Sequence, residues 1–347
     1  LSSATPADLA VAAAAAASGD GVGGGSDDGR DPASVPDLAS ASSSASDSEP
    51  PPHVLLPFSG PDDRPHRLAA YLRHLGCRVT EVDTKIGDGA HDLSDTDIAG
   101  DLLRRIAARE FAAVFLATPC SSFSIAHEPP LRLLPHHSRG HPGVPPEWAA
   151  YLRKHNLLVD FTVAAYIACR QAGVPVGVEN PASRSDPFSP ASWPEFADRA
   201  ALWDVPEIAQ LEGELITFPQ CALGADFQKY TTLLACPFLA PRLASLRRLR
   251  CTHTRGDQHR AVAHGRDALG NPISPLAAAY PPPMNELLAS ALHRAAADAA
   301  ASRLSASLAA GGHVTDGAAL CPPVHAAVER ARSRPLPFAS HRHLRPA

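Results

Sequence analysis

From residue 53 onward the chain alternates between short apolar runs and longer stretches with apolar residues every three or four positions. "HVLLP" (53–57) is a continuous apolar run of strand length. "RPHRLAAYLRHLG" carries a helical stripe at Leu68, Leu72 and Leu75 and stops at Gly76. "CRVTEVD" alternates and predicts a strand. "SDTDIAGDLLRRIAARE" offers Ser94 as N-cap and a stripe at Ile98, Leu102 and Ile106. "FAAVFLA" predicts the next strand, and a helix of about 25 residues from Pro146 leads into the strand "VPVGVEN". Strand and helix in strict alternation over 53–180 predict an α/β domain with a mostly parallel sheet and helices on both faces.

Beyond 180 the rhythm loosens. "GELITFP" and "YTTLLAC" predict two strands, with a hairpin as one arrangement. Residues 237–283 form a loop-rich, basic part, and 284–309 an Ala-rich helix. The organisation expected is an acidic Ala/Ser/Gly-rich segment at 1–52, a domain at 53–290, and a helix end with an irregular tail at 291–347. Residues 1–52 carry too little apolar surface to offset the entropy of ordering and are expected to be disordered.

Charge sharpens this division. The first fifty residues hold eight acids and one arginine, −7 against −5 for the whole chain, so the body sums to about +2. A mildly basic body is compatible with a polyanionic partner without demanding one. The seven cysteines (77, 120, 169, 221, 236, 251 and 321) show no paired spacing. That argues against a disulfide framework and for a reducing, intracellular compartment. Cys77, Cys169 and Cys236 fall in helix or strand patterns and are read as core. No apolar stretch reaches the roughly 20 residues of a membrane helix. The alanine run at 11–17 lacks the basic flank of a secretory signal. The start at Leu rather than Met points to a piece of a longer product.

The candidate chemistry sits at strand ends, where open α/β sheets bind ligands. "LLPFSGPDD" places Phe58, Ser59 and Gly60 just after the first strand, with a glycine that lets backbone approach a ligand. Asp83 ends the second strand, where an acid commonly accepts hydrogen bonds from a ribose. "ATPCSSFS" puts Cys120 in a polar loop just past "FAAVFL", and Glu179 and Asn180 close "VPVGVEN". A cysteine and a glutamate facing one crevice suit attack on a cytosine ring. The thiolate adds to carbon 6, the glutamic acid holds ring nitrogen 3, and carbon 5 becomes the nucleophile.

These motifs resemble those of the cytosine-5 DNA methyltransferases. "TPCSSFS" resembles the family's Pro-Cys-x-x-Phe-Ser loop and "VENP" its Glu-Asn motif, while "PFSG" and "EVD" resemble its cofactor motifs, in the same order. The resemblance covers roughly 54–290, most firmly 54–183. It implies a Rossmann-like S-adenosylmethionine-dependent methyltransferase fold, with S-adenosyl-L-methionine as cofactor and DNA as partner, and a nuclear location in a eukaryote. It implies Cys120 as nucleophile and Glu179 as ring-nitrogen partner. Phe58, Ser59, Gly60, Asp83, Asp92 (in "AHDLSD") and Pro119 would face the cofactor, and Ser122 would face DNA. Pro61, Asp62 and Asp63 stand where the family has a second glycine. "QCALGADFQKYTTLL" replaces its Gln-Arg-x-Arg segment, with Lys229 the nearest cation and the expected third catalytic group.

A large target-recognition domain has no room between 237 and 275, so the chain more closely resembles compact members from mobile elements and viruses. In that setting the altered first loop also fits a catalytically inactive nucleic-acid-binding domain of a mobile-element polyprotein. An adenine-amine methyltransferase would need an Asp-Pro-Pro-aromatic loop that "TPCSSF" does not supply. Residues 242–266 hold seven arginines against Asp257 alone. Arg247, Arg248 and Arg250 are therefore expected to contact DNA phosphates. The same stretch offers Cys251, His253, His259 and His264, but their spacing fits no standard finger. They are read as loop residues, with no metal assigned.

Overall fold

The computed structural model of the chain describes residues 50–64, 66–125, 127–186, 196–253, 259, 261–262 and 278–309. The expected disorder of 1–52 and the tail at 310–347 fall almost wholly outside these residues, as does His264.

The apolar runs become strands. β1 (His53–Pro57), β2 (Arg78–Val82), β3 (Ala113–Leu116) and β4 (Val176–Pro181) pair in parallel. β1 and β3 are buried along their whole length and β4 along all but its last residue. Strands covered on both faces read as unbroken apolar runs in just this way. β5 (Glu214–Pro219), β6 (Phe227–Gln228) and β7 (Tyr230–Ala235) follow. The six-stranded sheet has the order β2-β1-β3-β4-β7-β5. β7 runs antiparallel to both β4 and β5. The expected hairpin therefore exists, turned so that its second strand lies inside and its first forms the edge. A two-residue parallel pair joins β6 to β8 (Ala261–Val262).

Helices α1 (Leu68–His74), α2 (Thr96–Ala107), α3 (Pro146–Ala172) and α4 (Pro282–Ala309) cover the sheet. α2 packs on α3, and α1 packs on α4. From β1 the chain crosses first to β2 on one side, then returns past β1 to β3. Right-handed crossovers in opposite directions put their helices on opposite faces.

Two local expectations change. α2 is capped by Asp95, whose carboxylate accepts from Asp97 N and Ile98 N, while the Ser94 hydroxyl donates to Asp92 at 2.7 Å. Leu75 closes α1 as C-cap and is 40% exposed, because the helix ends one residue earlier than its stripe. The boundary at 290/291 also falls inside α4. Leu288, Leu292, Ala295 and Ala299 are all fully buried, so the helix belongs to the domain on both sides of it. Cys77, Cys169 and Cys236 are buried, as their patterns predict.

Candidate active site

The strand order reverses between β1 and β3, and a crevice opens at their carboxyl ends, as it does in open α/β sheets. Its cavity measures about 520 Å³. That is within the range of sites for small molecules and cofactors. Phe58, Ser59, Gly60, Asp83, Asp92, Pro119, Cys120, Glu179 and Lys229 all line it.

The loop after β1 is built on unusual backbone. Phe58 has φ 62°, and its N–H donates to Val82 O at 2.7 Å while its ring meets Phe161 edge-on at 6.0 Å. Such a conformation persists in a bulky residue only where its surroundings fix it. Gly60 follows at φ 78° with open space where a side chain would be, so backbone freedom explains the glycine. Gly60 N–H donates to Asp83 Oδ2 at 2.9 Å, and Lys85 N–H donates to Asp83 Oδ1 at 2.9 Å. The loop after β1 and the acid after β2 are thus one hydrogen-bonded unit.

Asp92 is already engaged. It pairs with Lys154 at 2.7 Å and accepts from the Ser94 hydroxyl and N–H. Burial alone would raise its carboxyl, but those hydrogen bonds outweigh it and hold Asp92 below the usual range.

The loop after β3 is fastened at its root. Asn180 Nδ2 donates to Thr118 O at 2.7 Å, and the Thr118 and Thr162 hydroxyls meet at 3.0 Å. Cys120 beyond them is exposed to the cavity. The surrounding walls strip water from its sulfur and push the thiol up. Lys229 opposes that shift and Glu179 adds to it. The resting group is therefore a thiol, and a nucleophile here must be deprotonated as substrate binds.

Next to it, Ser121 accepts from the Tyr151 hydroxyl at 2.8 Å and lies 3.5 Å from His155 Nε2. His155 is 8% exposed. Burial lowers its pKa to about 4, with Arg132 adding, so it is neutral at ordinary pH.

Glu179 is 5% exposed. Its Oε2 accepts from the Tyr280 hydroxyl at 2.7 Å, while its Oε1 has no hydrogen-bond partner among the described residues. Burial and the neighbouring Glu179 push the Tyr280 phenol up, which keeps it a donor. Lys229 Nζ lies 5.9 Å from the centre of the Tyr280 ring. Tyr280 and His155 are the site residues that sequence reasoning missed. "YPPPM" marks only a helix start, and "RKHNLL" places His155 on a stripe that reads as core.

The residues expected to contact DNA sit in different surroundings. Ser122 is 1% exposed and its hydroxyl accepts from the buried Arg132 at 3.2 Å, so it braces the loop from within. Arg247 pairs with Glu214, the first residue of β5, at the end of the sheet away from Cys120. Arg250 turns its guanidinium back onto the Arg247 and Leu249 carbonyls at 2.6 and 2.8 Å. Arg248 is exposed beside them.

Cys251, His253 and His259 do come together, joined by Cys221. No protein-family model matches the chain, and no match was found among curated proteins or solved structures.

Proposed function

We propose that this cavity is the active site of an S-adenosylmethionine-dependent DNA cytosine-5 methyltransferase with Cys120 as nucleophile. The observation that carries the reading is Glu179. A buried carboxylate oxygen without a partner is costly and calls for an explanation. Here it borders the same cavity as a cysteine presented from the neighbouring strand. The amino group of a cytosine supplies the donor that the orphaned oxygen lacks, and ring nitrogen 3, an acceptor in the neutral base, pairs with the carboxyl through a shared proton.

The cofactor end fits its group. Gly60 leaves room for close approach, Asp83 presents a fixed carboxylate to ribose hydroxyls, and the cavity is large enough for a nucleoside. S-adenosylmethionine bound over Phe58, Ser59, Gly60 and Asp83 would supply an electrophilic methyl group to carbon 5 of the base. The reversed β7 between β4 and β5 supports a methyltransferase-type variant of the Rossmann arrangement.

The chain's own residues would act in sequence. Cys120 Sγ, which gives up its proton to solvent as substrate binds with Lys229 balancing the charge, adds to carbon 6. Glu179, oriented by Tyr280, holds a proton at nitrogen 3 as the ring electrons move. Once methylated, carbon 5 loses its proton to a water or hydroxide entering the cavity, the 5,6 double bond re-forms, and Cys120 leaves as thiolate. The target base must be swung out of a duplex to reach this depth.

The test is incubation with S-adenosylmethionine and DNA carrying 5-fluorocytosine, whose fluorine blocks the final elimination. Wild type should form a covalent adduct, stable in denaturing gels, that Cys120→Ser does not. Absence of the adduct alongside measurable S-adenosylhomocysteine binding would favour an inactive nucleic-acid-binding domain instead.

A further inference from the structure

Away from the cavity lies a second constellation with its own chemistry. Cys221 sits in the single helical turn (Gln220–Leu223) that follows β5, and Cys251 and His253 lie thirty residues on. With His259 they bring four potential ligand atoms within 4.8 Å of one another. Cys251 Sγ is 3.5 Å from His253 Nδ1 and 3.5 Å from His259 Nε2. A tetrahedral ion with metal–sulfur bonds of about 2.3 Å and metal–nitrogen bonds of about 2.05 Å would separate such ligands by roughly 3.6 Å. Cys221 is buried and the other three are half-buried.

Thiols and imidazoles make weak hydrogen bonds, and packing alone gives no reason to converge two of each on one point. Two sulfurs and two nitrogens within 4.8 Å of one another suit zinc, and four protein ligands leave no open position for catalysis.

We propose that Cys221, Cys251, His253 and His259 form a structural zinc site. The site spans a long sequence gap and so clamps two parts of the chain. Cys221 belongs to the connection that carries Lys229 into the cavity, and Cys251 begins the stretch that reaches β8. The short parallel pairing of β6 with β8 lies within the same clamp and is too small to hold alone. Zinc would fasten the edge of the sheet much as a core would in a larger protein. The proposal stands independently of the methyltransferase reading, because no ligand is shared with the cavity.

The experiment is metal analysis of the intact chain, purified without chelators from cells supplied with zinc. About one zinc per chain is expected for a four-ligand site. Replacement by cobalt(II) should give the visible bands of a tetrahedral ion and a thiolate charge-transfer band. Folded protein that carries no zinc and develops no such bands would overturn the proposal. Cys221→Ser and Cys251→Ser should each lose the metal, while Cys120→Ser, which alters a thiol outside the cluster, should keep it. Equal zinc in all three variants would also overturn it. Should the serine variants fail to fold, His253→Cys retains four ligands, and a stronger charge-transfer band is expected from its third thiolate. An unchanged band would exclude His253 from the site.

Discussion

The Tyr280 hydroxyl donates to Glu179 Oε2 across 2.7 Å, joining a residue two positions before α4 to the carboxyl-terminal half of β4. It is the one hydrogen bond found for that buried carboxylate among the described residues. Tyr280→Phe leaves both oxygens unsatisfied. The expected cost is about 1–3 kcal/mol of stability, the usual penalty for stranding a buried polar partner. Urea titrations of wild type and variant would show it as a lower midpoint with an unchanged slope.

Asp83→Ala removes the acceptor of both Gly60 N–H and Lys85 N–H. S-adenosylhomocysteine binding should weaken by about 1–3 kcal/mol, read by titration calorimetry. Asp83→Asn keeps one acceptor oxygen and should lose less. Equal affinity in all three proteins would place the ribose elsewhere.

His155 gives a pH dependence of fixed sign. Its folded pKa is lowered to about 4 from 6.5, so between those values the unfolded chain binds the extra proton. Stability should therefore be complete above pH 6.5 and fall as pH drops toward 4. The loss is at most about 3.5 kcal/mol, at about 1.4 kcal/mol per pKa unit. His155→Gln should flatten this part of the curve, and the difference between the two proteins isolates the residue from titrating carboxylates.

Arg247→Ala should leave DNA binding almost unchanged. The side chain is paired with Glu214 at the far end of the sheet. The salt dependence of log affinity, followed by fluorescence anisotropy, should shift by less than one phosphate contact, which is worth about 0.9 in slope. A shift of a full contact would mean that DNA reaches the amino ends of the strands.

Leu292 is fully buried on the part of α4 beyond residue 290. Leu292→Ala should cost about 2–5 kcal/mol, as large-to-small changes in packed cores do. A truncation at 290 should be worse, since it also removes Ala295 and Ala299 from the core. Thermal melts of both would check this.

The element sequence was readable because β1, β3 and β4 start as short apolar runs, β2 alternates, and helices α1 and α2 carry periodic stripes. Cys120, Glu179 and Asp83 were readable for a related reason: a residue at the carboxyl end of a parallel strand has its position fixed by the fold. Tyr280 was not, because its partner lies 101 residues upstream and no local pattern announces the meeting. Cys221 was missed similarly. Spacing rules for metal sites are built on neighbouring ligands, and thirty residues separate it from Cys251. Ser122 was misplaced because loop polarity says nothing about which hydroxyl a buried arginine will claim. Ser94 and Asp95 are both acceptable caps, and only the turn geometry decides between them.

The inserted β7 has a consequence for how the protein is made. Among the described strands β5 has β7 as its sole partner, and β7 arrives later in the chain. While a ribosome is still emitting residues 220–235, the β1–β4 sheet can already be paired, but β5 has no neighbour. Ile216 and Phe218, both buried in the finished fold, must wait, exposed, until Tyr230–Ala235 emerges and slides between two strands that came before it. The last third of the sheet can then close in a single event, and a nascent chain stalled just short of residue 230 would display a bare apolar ribbon to the chaperones around it.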